Sequence, residues 1–193
     1  RTLDGGALQP VLLGEPGVGK SSIVATLARV VRGDVARVSP VRHELSLPKD
    51  LLRRRIILVT VPDMLSGALY VNHLEHKLKL IVANCQKSGT ILFLDNVASF
   101  TGAGSSTPDP DSDVANLLVP FLSRGALRVI ATATPEDWMV VGRLRPAFAR
   151  LFTPIRVPET TPEETTAVLT ARAHDWSQRY RVRFCPGALP EAL

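Results

Sequence analysis

The chain lacks any apolar run approaching the roughly 18 to 20 residues that a membrane-spanning helix requires, and no basic, apolar and small-residue signal opens it. These absences lead us to expect a soluble, cytoplasmic protein. Cysteine is scarce: Cys85 and Cys185 lie far apart and form no CxxC, so neither a disulfide framework nor a zinc site is suggested. Both thiols are expected to be buried as small hydrophobes. Aromatic residues make up only 5% of the chain, which leaves few rings to stack bases beside its scattered arginines. Internal repeats and low-complexity tracts are missing too. What is present is an ordinary globular balance of 45% hydrophobic and 21% charged residues. The 193 residues allow one substantial domain plus part of a second. A net charge of +5 and a pI near 9.7 permit contact with a polyanion without requiring one. The run Arg53-Arg54-Arg55 reads as a solvated strand entrance, and no nucleic-acid site is assigned.

Gly14 to Ser21 read GEPGVGKS, a complete G-x-x-x-x-G-K-[ST] motif between an apolar run and a helix-forming run. Gly14, Gly17 and Gly19 let the backbone curl until its N–H groups point at phosphate oxygens. Lys20 can then reach the β- and γ-phosphates, Ser21 offers a hydroxyl to Mg²⁺, and the following helix presents its positive dipole end to the anion. Pro10 to Leu13 reads as the end of a buried strand, and Ser22 to Val31 as a helix with an apolar face.

Gly33 to Lys49 reads as a connection, followed by a strand at Ile56 to Val61. From Leu69 to Gln86, apolar Leu74, Leu78, Ile81, Val82 and Cys85 recur at helical steps, with Glu75, His76, Lys77 and Lys79 on the other face. A buried strand, Thr90 to Leu94, finishes in Asp95. Thr101 to Asp113 is a Gly/Ser/Pro/Asp-rich loop leading into a helix at Val114 to Leu122. A strand at Leu127 to Ala131 ends in Thr132-Ala133-Thr134, a helical stretch runs through Arg150, and a last strand spans Thr153 to Val157. This alternation describes a parallel sheet sandwiched by helices. Thr161-Pro162-Glu163-Glu164 then opens a helix to about Tyr180, and with it a separate helical subdomain.

A P-loop ATPase also needs an acidic residue at a neighbouring strand end to hold the Mg²⁺ hydration shell, and Ile91 to Asp95 (ILFLD) supplies it in Asp95. The next position, where many such enzymes place a water-activating glutamate, is Asn96. An amide can orient water but has no useful basicity, which puts about a hundred- to ten-thousand-fold of general-base assistance in question. His73 and His76 share a helical face without a third ligand nearby and read as solvated side chains. Trp138 and Trp176 read as packing residues, and Asp109, Asp111 and Asp113 as a mobile acidic loop.

Together with GEPGVGKS, the stretches ILFLDN, Gly102-Ala103-Gly104 and DVANLLVPFLSRGALRVIATAT make the chain from Pro10 onward resemble the first nucleotide-binding domain of the Clp-type AAA+ unfoldases and disaggregases, ClpA, ClpB and ClpC. The resemblance implies an α/β fold with a five-stranded parallel sheet of order 5-1-4-3-2 over residues 1–158. It also implies the start of a small helical lid at 159–193, and hexamers with ATP at subunit boundaries. It makes Gly14, Glu15, Pro16, Gly17, Val18, Gly19, Lys20, Ser21, Ser22 and Asp95 the nucleotide contacts, with Ser21 and Asp95 at Mg²⁺. Asn96 then stands at the catalytic-glutamate position and Thr134 at the sensor-one position. Arg150 matches the first of two arginines that reach into a neighbouring subunit, although Leu151 and Ala149 replace the family's second arginine and glutamate. A solvated arginine capping helix carbonyls is the other reading of Arg150. Tyr70 aligns with the pore-loop tyrosine that grips polypeptide, although Leu69, Val71 and Asn72 replace its flanks; it also suits a helix-start aromatic packed on its own domain. The resemblance further implies an excerpt of a longer polypeptide or a trimmed relative, with no sensor-two arginine assignable.

The leading functional expectation is an ATP-binding module of a protein remodeller acting on polypeptide clients, with or without a partner protease. Two alternatives stand beside it: a nucleic-acid-linked AAA+ loader, and a scaffold that binds ATP without hydrolysing it.

Overall fold

In the computed structural model, residues 8–33, 48–49, 51–52, 54–67, 71–103, 113–185 and 187–188 are described. Strands β1 (Gln9–Leu13), β2 (Ile56–Val59), β3 (Ile91–Leu94), β4 (Arg128–Ala133) and β5 (Phe152–Arg156) form one sheet, ordered β2-β3-β4-β1-β5 and parallel throughout. Counted from the other edge this is the expected order 5-1-4-3-2. The intervening helices are α1 (Lys20–Val31), α2 (Val61–Leu65), α3 (Val71–Ser88), α4 (Val114–Ser123), α5 (Pro135–Leu144) and α6 (Pro146–Ala149), with α7 (Pro162–Tyr180) after the last strand.

Central strands in such a sheet are buried on both faces, and the two-residue period of the strand divides their side chains between two cores. Leu92, Leu94, Val129, Ala131 and Ala133 face one way, against Leu74 and Leu78 of α3, Leu118 and Leu122 of α4, Val141 of α5 and Phe148 of α6. Ile91, Phe93 and Ile130 face the other way, against Val24 of α1 and Leu51. Continuing that parity past the strands, Asp95 follows Phe93 and Thr132 follows Ile130 onto the α1 side. The phosphate-binding loop opens there.

Several boundaries differ from expectation for local reasons. Strand β2 stops at Val59 because Thr60 turns to cap α2: its hydroxyl accepts the Asp63 N–H at 3.3 Å and its own N–H donates to the Asp63 carboxylate at 2.9 Å. The hydroxyl and N–H of Thr60 hold the Asp63 carboxyl below its usual pKa. The helical stretch ending at Arg150 is two helices, broken where Arg145 leaves helical geometry (φ −136°, ψ 64°) ahead of Pro146. Helix α7 begins with the expected capping box, Thr161 with Glu164.

Three expectations are corrected. Asp113 is no part of a mobile acidic loop: it is fully buried, and its carboxylate accepts from Arg145 Nε at 2.7 Å. Asp109 and Asp111 lie outside the described residues. Trp138 does pack, with its ring 5.7 Å from that of Phe152 at 74°, but Trp176 is 45% exposed, its ring 6.3 Å from that of Phe184. Of the cysteines, Cys85 is buried in the core while Cys185 is exposed. Burial also pushes the Cys85 thiol pKa up, away from the reactive thiolate. Titration with the chromogenic disulfide DTNB is therefore expected to release one equivalent at once and the second only after denaturation; two rapid equivalents from native protein would contradict this packing.

Candidate functional site

Between β1 and α1 the chain turns through Glu15–Gly19. The turn demands its glycines for two different reasons. Gly17 and Gly19 have φ of +90° and +92°, a region that L side chains rarely enter. Gly14 needs space instead, since a Cβ there would stand 2.5 Å from the Val157 carbonyl oxygen. Gly14 itself is buried, whereas Glu15, Pro16, Ser21 and Ser22 are exposed and Val18 is partly buried.

Helix α1 has Gly19 at its N-cap position, no side chain capping its leading N–H groups and no acidic residue in its first turn. Its leading N–H groups are thus left to an anion. Other helices contrast with it, since α2, α4, α5 and α7 are capped by Thr60, Asp113, Thr134 and Thr161, while the single turn α6 has no side-chain cap. The Lys20 ammonium curls back over the loop, donating to the carbonyls of Gly14 (2.8 Å) and Glu15 (2.9 Å). Among the described residues it makes no ion pair.

From the adjacent strand end comes Asp95, both of whose carboxylate oxygens lie 3.0 Å from the Ser21 hydroxyl. A hydroxyl and a carboxylate converging beside an uncapped helix start make a hard oxygen donor set, which fits Mg²⁺ held jointly with phosphate. Asp95 also accepts from Thr132 Oγ1 at 2.6 Å, and that same oxygen accepts the Asn96 N–H at 2.9 Å. Asn96 is exposed and left-handed (φ 54°, ψ 71°), starting a short 3₁₀ turn over Val97–Phe100. Sequence reasoning did not single out Thr132. The signal was present in strand parity, which puts it beside Asp95 once β3 and β4 are neighbours in the register Leu94 to Ala131.

Thr134 stands at the end of β4, where its hydroxyl accepts the Asp137 N–H at 3.1 Å and caps α5. Arg150 ends α6 and is exposed; its backbone N–H bonds the Pro146 carbonyl, and its side chain bonds no carbonyl among the described residues. Tyr70 and Gly104 lie outside the described residues. His73 and His76 are exposed on α3, and among the described residues no cluster of His, Cys, Asp or Glu is suited to a metal. No helix among them is long and apolar enough to cross a membrane.

A loop of this kind, beyond the carboxyl ends of parallel strands and answered by an aspartate from the next strand but one, places the chain among the P-loop nucleotide-binding proteins. Within that class the assignment is specific. The family model described as "ATPase family associated with various cellular activities (AAA)" matches residues 10–157, and the chain belongs to this family.

The chain is similar to the chaperone protein ClpB of Agrobacterium fabrum, with 34% identity over 186 residues, 95% of this chain and 20% of that protein. Among solved structures it is similar to Hsp104 in a closed state with ATPγS and FITC-casein (TM-score 0.74, 28% identity, covering 91% of this chain and 28% of that one). It is likewise similar to the Saccharomyces cerevisiae Hsp104–casein complex in an extended conformation (TM-score 0.72, 26% identity, covering 92% and 28%). The chain spans about a fifth of the length of the curated relatives it matches.

Proposed function

We propose that this chain is the ATP-binding AAA+ module of a Clp-like protein-remodelling ATPase, and that its hydrolytic step is slow. The observation that carries the reading is the convergence of Ser21 and Asp95, residues 74 positions apart, at the mouth of the uncapped helix α1. Phosphate oxygens would be met by the N–H groups of the loop and of the first turn of α1, with Lys20 exchanging its two carbonyl contacts for the β- and γ-phosphates. Ser21 and Asp95 would hold Mg²⁺, which when bound neutralises charge on those phosphates. Thr134, at the end of β4, is assigned to the γ-phosphate side of the site, and Arg150 to the site of a neighbouring copy; its side chain, exposed and bonded to no described residue, supports that reading.

The wider role rests on the relatives. Hsp104 is found with casein in its solved structures, and by extension we assign polypeptide clients to the protein carrying this chain. We further assign it a hexameric assembly, a cytoplasmic setting, a pore role for Tyr70 and, as an option of the Clp class, a partner protease. Residues 1–158 would be the large ATPase domain and 159–193 the start of the lid. In support, α7 buries only Ala173 among its described residues and leaves Val168, Trp176 and Tyr180 exposed.

Asn96 favours a module that binds nucleotide more readily than it cleaves it, because an amide cannot take the proton of the attacking water. In a single-turnover assay of the assembled protein, Asn96→Glu is expected to raise the hydrolysis rate about a hundredfold. A native protein that already cleaves ATP at the rate of the Glu variant would refute this reading of Asn96.

A further inference from the structure

Among the side chains around the nucleotide site, Thr132 is 1% exposed and follows Ile130 onto the α1 side of the sheet. Its hydroxyl makes two bonds to successive residues of another strand end. It donates to Asp95 Oδ1 at 2.6 Å and accepts the Asn96 N–H at 2.9 Å. One oxygen atom therefore sets both the orientation of the carboxylate and the course of the backbone immediately after it. That course is a strained one: Asn96 is one of two non-glycine residues with positive φ among those described, a conformation that asparagine tolerates better than most residues but that still needs support from its surroundings.

We propose that Thr132 is a positioning residue of the nucleotide site. Its proton holds the Asp95 carboxylate at the angle that meets Ser21, and its lone pair holds Asn96 in the left-handed turn beside the phosphates. Ser21 approaches Asp95 from α1 and Thr132 from β4, so the carboxylate is gripped from two sides before any ligand arrives. Such preorganisation matters most for the contact made through Mg²⁺, which demands near-ideal oxygen geometry. It matters least for the loop N–H groups and Lys20, which act on phosphate without Asp95. The inference rests on the nucleotide reading given above, and its test separates the two.

The test is a titration of the whole chain with ATP carrying a fluorescent ribose label, first in EDTA and then with rising Mg²⁺, for the native protein, Thr132→Val and Thr132→Ser. Valine keeps the shape and strand preference of threonine and removes only the hydroxyl; serine restores the hydroxyl. A hydrogen bond to a charged group has a strength that predicts about a tenfold higher Mg²⁺ midpoint for Thr132→Val. Its affinity in EDTA should match the native protein, and Thr132→Ser should return the midpoint to within about twofold of native. An unchanged midpoint in Thr132→Val overturns the proposal. So does a shift of equal size in Thr132→Ser, which would assign the effect to packing. A native chain that binds no labelled ATP in either condition would instead bring down the nucleotide reading, and the inference with it.

Discussion

Replacing Lys20 with alanine is expected to weaken ATP binding on the order of a hundredfold to a thousandfold while leaving the fold intact. The ammonium is held by two backbone carbonyls, Gly14 at 2.8 Å and Glu15 at 2.9 Å, and by no carboxylate among the described residues. Among the described residues, no opposite charge meets it until an anion enters the loop. Exchanging two neutral acceptors for phosphate oxygens turns both contacts into bonds between opposite charges, each contributing about 1.5 to 3 kcal/mol. The alanine chain loses that gain but breaks no buried network, since Lys20 is only partly buried. Isothermal titration calorimetry with ATP, beside a circular-dichroism melt, gives both readings. Binding within about threefold of native would mean that the triphosphate is held elsewhere and that the loop assignment is wrong.

The largest loss of stability is expected from Asp113→Ala. Asp113 is fully buried, and its carboxylate serves three parts of the chain at once: the Gly102 N–H at 2.7 Å, the Asn116 N–H at 2.9 Å and Arg145 Nε at 2.7 Å. It thereby joins the turn that follows β3, the start of α4, and the break between α5 and α6. Taking away one partner of a buried ion pair leaves the other charge stranded and costs about 3 to 5 kcal/mol, more than the roughly 1 kcal/mol of a lost helix cap alone. For a chain of this size that is a fall of roughly 6 to 20 °C in melting temperature. The double variant Asp113→Leu/Arg145→Met should recover much of the loss, because an apolar pair of similar volume removes both charges together. A single variant that melts within about 2 °C of native would show that the ion pair carries little of the stability.

The two aspartates illustrate how differently residues disclose themselves. Asp95 was legible because it ends an apolar run in a chain that already carries a phosphate loop, so chemistry and position pointed the same way. Asp113 sat at the end of a stretch rich in Gly, Ser, Pro and Asp, where composition argues for solvent. Its burial follows from Arg145, a partner whose approach depends on how α5 and α6 pack against α4. Trp176 and Cys185 misled for a related reason. Both are residue types that usually pack inside, and only the course of the chain around them leaves them at the surface.

Features closed by neighbours in the chain were therefore readable in advance: the phosphate loop, and the capping box of Thr161 with Glu164, whose partners lie three positions apart. The strands were readable as separate apolar runs, but they pair at long range, Val11 beside Ala131. The grip on Asp95 was not readable in this way, nor was the anchor at Asp113. Thr132 reaches Asp95 across 37 positions, Ser21 across 74, and Arg145 reaches Asp113 across 32. Such contacts exist only after strand order and helix packing have brought distant segments together. The motif thus marks where nucleotide can bind, and the packed sheet sets the angle at which Asp95 and Asn96 stand beside it.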